Sequence, residues 1–214
     1  MRYKFVAIEG NIGAGKTTLA TMLANDYNAR LILEEFEKNP FLSKFYEDPK
    51  RHAFALELFF MAERYHQLKE QKEQDLFQPF SVADYFFIKS KLFAQNNLHK
   101  DEQQLFNSLF NIMSSSLPQP ELLVYLYADI DRLQENIKKR GRSFEQNITN
   151  EYLQNIQDRY LDYLRKQTHF PVLLLDISNV NFKEDKQVYT SISVLLNKHY
   201  SLGINRFDLN QPIA

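Results

Sequence analysis

The sequence from residue 10 to residue 17 reads Gly10-Asn-Ile-Gly-Ala-Gly15-Lys16-Thr17, between an apolar run at residues 5–8 and a helix-forming run that begins at Thr18. This is the pattern G-x-x-x-x-G-K-[ST] in the strand-to-helix context that a phosphate-binding loop requires. The glycines let backbone N–H groups turn inward around a phosphate, and the helix adds the positive end of its dipole. Lys16 would reach the β- and γ-phosphates, and the Thr17 hydroxyl would bind Mg²⁺. The stretch therefore predicts a site for a nucleoside triphosphate with Mg²⁺, in preference to a plain glycine-rich turn.

The composition limits the class of protein. With 214 residues, 44% of them hydrophobic, the chain can bury one substantial core, and we expect one domain over residues 1–200 and a loose tail over 201–214. No apolar run reaches the roughly 18 residues of a membrane span, and the first residues enter a strand, so we expect no membrane partner and a cytoplasmic location. The absence of cysteine excludes disulfides and thiol chemistry. A net charge of -1 argues against a nucleic-acid partner.

Strand-length apolar runs recur along the chain, at residues 5–8, 31–33, 80–83, 122–127 and 172–175. Their hydrophobicity is continuous rather than alternating, which is typical of parallel strands covered on both faces. Longer segments with helical spacing separate them, and residues 51–72 and 101–116 predict amphipathic helices. The pattern predicts an α/β fold of the P-loop NTPase kind, in which a five-stranded parallel sheet lies between two layers of helices.

Ligands bind at the carboxyl ends of the strands in an open parallel sheet. The polar residues that follow the second and third runs, or lie close together further along, are Glu34, Glu35, Asp84, Arg140, Arg142 and Glu145. A phosphate-binding loop with carboxylates and mobile cations is the set of groups that phosphoryl transfer uses. Asp84 would hold Mg²⁺ together with Thr17. The two arginines would supply the mobile cations, and a basic cluster that complements a helix C-terminus is the alternative.

Further segments belong to one ordered set, among them Glu34-Glu-Phe-Glu-Lys-Asn-Pro-Phe41 and Arg140-Gly-Arg-Ser-Phe-Glu145, together with residues 8–18, 45–49 and 54–64. The set resembles the deoxynucleoside kinase family, of the deoxycytidine, deoxyguanosine and deoxyadenosine kinase type, from about residue 3 to about residue 197. The phosphate loop alone is shared by many ATPases, whereas the ordered set is much more specific. The resemblance implies a homodimer that uses ATP and Mg²⁺ to phosphorylate the 5′-hydroxyl of a deoxyribonucleoside.

The resemblance also implies roles for the residues of the transfer step. Glu34 would accept the proton of the 5′-hydroxyl, because alternation along a strand would turn Glu35 to the opposite face. A solvated acidic turn is the alternative for both. Lys16, Arg140 and Arg142 would stabilise the charge of the transferring phosphoryl group, with the arginines closing over it.

The triphosphate and the sugar have their own candidate residues. The resemblance and the loop pattern assign the triphosphate to Gly10, Asn11, Gly13, Ala14, Gly15, Lys16, Thr17 and Thr18, with Arg140 and Phe182. Phe182 resembles part of a loop that holds adenine, and a hydrophobic plug beneath a loop is the alternative. Tyr46 and Glu145 resemble the pair that holds the sugar 3′-hydroxyl, which would select deoxyribose; an ordinary packed aromatic is the alternative for Tyr46.

Base recognition is assigned to the segment 54–64. Glu57 occupies a position that is usually Gln in the family, and Met61 and Arg64 are expected to share its helix face. A carboxylate only accepts hydrogen bonds, so it suits the two adjacent donors of guanine, whose O6 suits Arg64. We therefore expect a purine, with deoxyguanosine favoured and deoxyadenosine second. Pairing of Glu57 with Arg64 or another cation is the alternative.

The chain departs from the family after the third strand, where the usual acidic residue, Arg and Ser are replaced by Asp84-Tyr85-Phe86. The arginine that would contact the 5′-hydroxyl and the phosphate is absent. Lys89 or Arg64 would replace it in part, and a surface lysine is the plainer interpretation of Lys89.

Two other functions compete with a deoxynucleoside kinase. A nucleoside monophosphate kinase of the thymidylate type would need a further basic patch for the acceptor's phosphate, and Tyr85 stands where an arginine is missing. A non-catalytic nucleotide-dependent switch of the GTPase kind lacks its N-K-x-D and D-x-x-G motifs here, and such a switch gives the arginine-rich lid no purpose.

Overall fold

A computed structural model describes residues 1–70, 78 and 80–209 of the chain. Its strands are β1 (Phe5–Gly10), β2 (Arg30–Ile32), β3 (Ser81–Ala83), β4 (Leu122–Tyr127), β5 (Pro171–Asp176) and β6 (Gly203–Asp208). They form one sheet in the order β2-β3-β1-β4-β5-β6, and every neighbouring pair is parallel. The predicted α/β fold with a parallel sheet is confirmed.

The helices connect the strands in chain order. They are α1 (Lys16–Tyr27), α2 (Leu42–Glu47), α3 (Pro49–Glu70), α4 (Ile88–Asn97), α5 (Lys100–Ser114), α6 (Ile130–Arg140), α7 (Asn150–Arg165) and α8 (Lys186–Leu195), with 3₁₀ turns at Phe36–Lys38 and Ser143–Glu145. The helices predicted over 51–72 and 101–116 correspond to α3 and α5. Residues 71 and 72 of the first prediction lie outside the described residues.

Among the described residues the sheet has six strands, so the prediction of five was wrong. The additional strand, β6, lies in the segment 201–214 that was expected to be a loose tail, and it pairs with β5 from Gly203 to Asp208. Its sequence, Gly203-Ile-Asn-Arg-Phe-Asp208, contains no continuous apolar run because an edge strand is only partly covered. Hydrophobicity alone therefore gave no signal for it. Residues 210–214 of that tail lie outside the described residues.

The core has one cluster on each face of the sheet, as the continuous hydrophobicity of the strands requires. Along β4, Leu122 and Val124 pack into the cluster beneath α1, α6 and α8, whereas Leu123 and Tyr125 pack into the cluster beneath α3, α4 and α7. Successive side chains of a strand point to opposite faces, so both faces are buried. These layers hold the strand ends in fixed positions beneath the site. Within the described residues, no helix is both long and apolar enough to span a membrane.

Candidate active site

The predicted phosphate loop joins the end of β1 to the start of α1. Gly13 and Gly15 have φ angles of +86° and +83°, a region that favours glycine. A Cβ on Gly13 would lie 2.7 Å from the backbone oxygen of Leu133, so no larger residue fits there without backbone movement. Backbone conformation and close packing therefore both require glycine in this loop.

Side chains from other elements hold this loop in place. Asn11 is buried and donates a hydrogen bond from Nδ2 to the Leu153 backbone oxygen of α7, at 2.8 Å. Asn136 of α6 donates to the backbone oxygen of Gly13 at 2.9 Å. Asn11, predicted to bind the triphosphate, thus uses its side chain to anchor the loop. The loop is fixed by the layer of helices before any ligand arrives.

Lys16 lies at the cavity wall, and its Nζ donates to the backbone oxygen of Asn11 at 2.8 Å. Burial, followed by repulsion from Lys89, lowers the pKa of Lys16 to about 8, although Glu9, Glu34 and Asp84 act in the opposite direction. An anionic group beside Lys16 would stabilise its charged form. The arrangement suits a phosphate ligand.

Thr17 and Asp84 bring two oxygen ligands together at the mouth of the loop. The Thr17 hydroxyl donates to Asp84 Oδ2 at 2.5 Å, and the other carboxylate oxygen accepts from the backbone N–H of Glu34 at 2.8 Å. A hydroxyl next to a carboxylate is the hard-oxygen set that Mg²⁺ prefers when phosphate oxygens and water complete its coordination. The donor set therefore fits the predicted metal.

Glu34 follows β2 and lies between two cations inside the cavity. Its Oε1 accepts hydrogen bonds from Arg64 Nε at 2.8 Å and Nη2 at 2.6 Å, and its Oε2 accepts one from Lys89 Nζ at 2.6 Å. Burial acts to raise the pKa of Glu34, but Lys89 and Arg64 outweigh it and hold that pKa well below its usual range. The neighbouring Glu35 is exposed and pairs with Lys38 at 2.5 Å. Only the first of the two acidic residues is placed in the cavity.

Lys89 is not a surface residue, so the plainer interpretation of it was wrong. It lies on the first turn of α4, is 7% exposed and lines the cavity beside Glu34. Arg64 reaches the same carboxylate and also donates from Nη1 to the Ser90 hydroxyl at 2.8 Å. Both candidate replacements for the missing arginine are thus in contact with Glu34. Among the described residues, Arg64 forms its ion pair with Glu34 and not with Glu57.

The lid arginines Arg140 and Arg142 converge on Glu145. Arg140 donates from Nη2 to Glu145 Oε2, and Arg142 Nη1 lies 3.2 Å from the other carboxylate oxygen. The Arg142 guanidinium also lies over the ring of Phe36, 3.6 Å from its centroid. Glu145 is buried while both arginines are partly exposed. The carboxylate of Glu145 therefore holds both arginines at the cavity. A bound phosphate could replace Glu145 as their partner.

These groups surround one cavity of about 790 Å³, which includes its open mouth. The predicted residues among its walls are Lys16, Thr17, Glu34, Tyr46, Glu57, Arg64, Asp84, Arg140, Arg142 and Glu145. Tyr46 stacks on Phe144 with 5.9 Å between ring centroids, and burial raises its pKa well above the usual value, so its hydroxyl stays protonated. The cavity thus extends from the phosphate loop past Glu34 to the α3 face.

Two predicted residues outside the phosphate loop and the start of α1 lie away from the cavity wall. Met61 is buried in the core and is absent from the described cavity wall. The α3 residues that line the cavity, among them Leu56, Phe60 and Arg64, occupy one arc of the helix surface with Glu57 at its edge. Met61 lies just past Glu57, outside this arc. A shared helix face was therefore too broad a criterion for predicting contact with the cavity. Phe182 is buried against Gly15, whose added Cβ would lie 3.0 Å from its ring. This position matches the alternative of a plug beneath the loop.

Glu57 contacts a residue that the sequence analysis did not identify. Asn97, at the end of α4, donates from Nδ2 to Glu57 Oε1 at 2.7 Å and lines the same cavity. No motif marks Asn97, and its partner lies forty residues earlier in the chain. The aromatic rings of Phe60 and Phe93 also line the cavity without having been predicted. Aromatic residues at helical spacing are ordinarily core residues, so only the folded chain distinguishes these two.

The sequence analysis also missed Glu9, which holds elements around the site together and does not line the cavity itself. It is fully buried, accepts hydrogen bonds from the Phe86 backbone N–H at 2.6 Å and from the Tyr160 hydroxyl at 2.8 Å, and so ties β1 to the segment after β3. Burial raises the pKa of Glu9, with Lys89 and Lys16 opposing that shift. A lone acidic residue inside an apolar strand was the available signal, since an unpaired buried carboxylate is costly.

The parallel sheet, the glycine loop at a strand-to-helix turn and the adjacent hydroxyl and carboxylate define a P-loop nucleotide-binding protein that carries the groups of phosphoryl transfer. A sequence model described as "Deoxynucleoside kinase" matches residues 6–201. The chain belongs to the deoxynucleoside kinase family, and it is a kinase. It is 40% identical to "Deoxyguanosine kinase" of Bacillus subtilis (strain 168) over 158 residues, which cover 73% of this chain and 76% of that protein.

Other relatives agree on the family and differ in the base that they are named for. The chain is 31% identical to "Deoxyadenosine/deoxycytidine kinase" of Bacillus subtilis (strain 168) over 195 residues, or 87% of this chain and 88% of that protein. Its fold is similar to that of deoxyadenosine kinase from M. mycoides solved with dCMP and dCDP bound, with a TM-score of 0.76 at 24% identity, covering 90% of this chain and 97% of that one.

Proposed function

We propose that this protein transfers the γ-phosphoryl group of ATP to the 5′-hydroxyl of a purine deoxyribonucleoside, with deoxyguanosine favoured and deoxyadenosine second. The observation that carries the proposal is the single cavity in which the phosphate loop at Lys16, the clamped carboxylate of Glu34 and the acidic residue Glu57 are brought together. Phosphate groups fit at one end and a base at the other. The transfer would take place between them.

Positioning is the main contribution of the residues around the reacting hydroxyl. A carboxyl with a pKa as low as that of Glu34 is a weak proton acceptor, so it acts by orienting the 5′-hydroxyl and accepts the proton late. Oε1 already accepts two hydrogen bonds from Arg64, whereas Oε2 accepts only one, from Lys89. The second lone pair of Oε2 is therefore the one that can accept this hydrogen bond. A loose, metaphosphate-like transition state needs little base strength at that stage.

Charge on the phosphoryl group is matched by nearby cations. Lys16 lies at the loop, and Lys89 takes the place of the missing family arginine near the hydroxyl. Arg140 and Arg142 would exchange Glu145 for phosphate oxygens as the lid closes, because a guanidinium pairs with either anion in the same planar geometry. Mg²⁺ held by Thr17 and Asp84 would neutralise part of the triphosphate charge.

The acceptor is recognised at three points. Glu145 and Tyr46 both border the cavity. The sugar 3′-hydroxyl would bind to this pair, and the Tyr46 ring would then exclude a ribose 2′-hydroxyl. Glu57 faces the base. Its ionised carboxylate accepts from both N1–H and the 2-amino group of guanine. The names of relatives that are called deoxyguanosine kinase or deoxyadenosine kinase support a purine.

A coupled assay for ADP tests the proposal. With Mg-ATP and each of the four deoxynucleosides in turn, we expect the highest kcat/KM for deoxyguanosine. A highest value for deoxycytidine or thymidine would contradict the base assignment alone. ADP formation only with deoxynucleoside monophosphates would favour the thymidylate-type alternative, and no turnover with any acceptor would favour a nucleotide-dependent switch.

Glu34 and Glu35 provide a matched pair for testing the transfer residue. We expect Glu34→Gln to lower kcat by roughly 10² to 10⁴-fold while ATP binding is retained, since general-base catalysis and hydroxyl positioning contribute about that much. Glu35→Gln should change kcat by less than about twofold, because Glu35 pairs with Lys38 outside the cavity. Single-turnover kinetics with calorimetric ATP binding measure both effects. An unaltered kcat in Glu34→Gln would remove that residue from the mechanism.

We further propose a homodimer formed through helix packing. On α5, Leu105 and Ile112 are seven residues apart on one face and are 54% and 71% exposed. Two large exposed apolar side chains on one helical face favour a contact with a second copy. Sedimentation at micromolar concentration tests this proposal, and a monomer would contradict it. A cytoplasmic location stays a prediction of the sequence.

A further inference from the structure

Glu57 presents an unusual buried group to the cavity. It lies on α3 and is 1% exposed, its Oε1 accepts from Asn97, and its Oε2 has no hydrogen-bond partner among the described residues. Leaving a buried carboxylate oxygen unpaired is unfavourable, because the desolvation of that oxygen is not compensated. Oε2 gains a partner if a ligand donates a hydrogen bond to it, or if Oε2 is itself protonated and donates to an acceptor on the ligand. An ionised Glu57 and a protonated Glu57 therefore suit different ligands.

We propose that the protonation state of Glu57, held in position by Asn97, decides which purine the cavity prefers. Ionised Glu57 selects guanine and protonated Glu57 selects adenine. This inference rests on the proposed function and makes it more specific. Asn97 is here a positioning residue, since it acts on the base through Glu57.

The hydrogen-bonding edges of the two bases explain the selection. Guanine offers two neighbouring donors, N1–H and the 2-amino group, and an ionised carboxylate accepts both. Adenine offers a donor, the 6-amino group, beside the acceptor N1. A protonated carboxyl matches that edge because it has one acceptor oxygen and one O–H donor. A mismatched edge leaves one buried polar pair unsatisfied, which changes preference by about tenfold to a hundredfold.

Asn97 decides which oxygen of Glu57 carries the proton. Its amide N–H₂ already donates to Oε1, so Oε1 is an acceptor and the proton lies on Oε2, the oxygen without a described partner. Asn96 donates to Asn97 Oδ1 at 3.2 Å and so fixes the orientation of that amide. Oε1 keeps a second lone pair for the amino group of either base. Oε2, which faces N1 of the base, is then a donor when Glu57 is protonated and an acceptor when Glu57 is ionised.

The surroundings of Glu57 allow both states near neutral pH. Burial is the main cause that raises the pKa of Glu57 to about 7; Arg64, the Asn97 hydrogen bond and Lys89 act against it, and Glu34 adds to it. The groups facing it come from every element around it: Arg64 from α3, Lys89 and Asn97 from α4, Glu34 after β2, Tyr46 from α2 and Tyr152 from α7. Burial raises the pKa of both tyrosines, so neither one titrates in the same range.

A pH series with two substrates tests the inference. We would measure kcat/KM for deoxyguanosine and for deoxyadenosine at saturating Mg-ATP from about pH 5.5 to about pH 8.5, since this parameter reports ionisations of the free enzyme. Neither base titrates in that interval, and pH effects on the shared catalytic groups cancel in the ratio of the two values. We expect the ratio of deoxyguanosine to deoxyadenosine to rise by about tenfold to a hundredfold with pH.

Two variants identify the groups responsible. In Glu57→Gln the ratio should be independent of pH, because the amide does not titrate. In Asn97→Ala the midpoint of the rise should move to higher pH, since the ionised form loses a donor. A purely structural role for Asn97 would lower activity without moving that midpoint.

The possible failures are distinguishable. A ratio that is flat or falls with pH in the unmodified enzyme would overturn the inference while leaving a deoxynucleoside kinase in place. The same rise in Glu57→Gln would assign it to another group and overturn the inference as well. Phosphorylation of no deoxynucleoside at any pH would refute the proposed function itself.

Discussion

Replacement of Lys89 by Met removes one of the two cations that hold Glu34 and keeps most of the apolar stem. The bond lost is a charge-assisted hydrogen bond of 2.6 Å between Lys89 Nζ and Glu34 Oε2, formed by a side chain that is 9% exposed. Such a bond contributes about 1.5–3 kcal/mol. Arg64 still pairs with Oε1, so the full cost of an uncompensated buried charge does not arise.

The expected result of Lys89→Met is a fall of roughly 10- to 150-fold in kcat/KM for the deoxynucleoside, the same energy expressed as a rate ratio. Lys91→Met on the same helix is the matched control, because Lys91 lies over Phe110, outside the described cavity wall. Steady-state kinetics with both variants measure the effect, and thermal unfolding checks that each one is folded. Equal activity of the two variants would refute the assignment of Lys89 as the replacement for the missing arginine.

Two further predictions concern the pH dependence of stability and the packing of the phosphate loop. Because burial raises the pKa of Glu57 from 4.5 to about 7, the folded state retains a proton that the unfolded state releases, and stability falls as pH rises across that interval. Glu57→Gln should therefore gain about 2–3 kcal/mol relative to the unmodified protein between about pH 5 and about pH 8, seen as a relative rise in Tm; a pH-independent difference would contradict this. Gly13→Ala should abolish ATP binding in calorimetry, because its Cβ would lie 2.7 Å from the Leu133 oxygen. Gly141→Ala, at φ +74° with no atom within 4 Å of its Cβ, should cost only about 1–2 kcal/mol and keep binding; similar behaviour of the two would argue against packing as the reason for Gly13.

The strand count shows where sequence patterns lose information. Strands buried on both faces, such as β4, leave a continuous apolar run that is visible without a structure. The edge strand β6 carries polar and partly exposed residues, so its only defining property is its pairing with β5. A hydrophobic pattern in the sequence indicates buried side chains. A strand at the edge of a sheet can pair with its neighbour while few of its side chains are buried, so it leaves no such pattern.

The helix α3 shows a similar limit for the site. Spacing correctly grouped Glu57 and Arg64 on one side, and both border the cavity. The same spacing included Met61, which the structure places in the core. A helical pattern gives the direction of a side chain to within an arc, and the neighbouring elements decide where within that arc the cavity ends.

Local backbone conformation and burial leave visible patterns in the amino-acid sequence, and these patterns were enough to predict the phosphate loop, the parallel sheet and the acidic residues at the strand ends. The partners of each charge are visible only in the folded chain. Arg64 and Lys89 lie 30 and 55 residues from Glu34 in the chain, and Asn97 lies 40 residues from Glu57. Hydrogen bonds and ion pairs depend on distances of a few ångströms, and folding alone brings groups so far apart in sequence within that range.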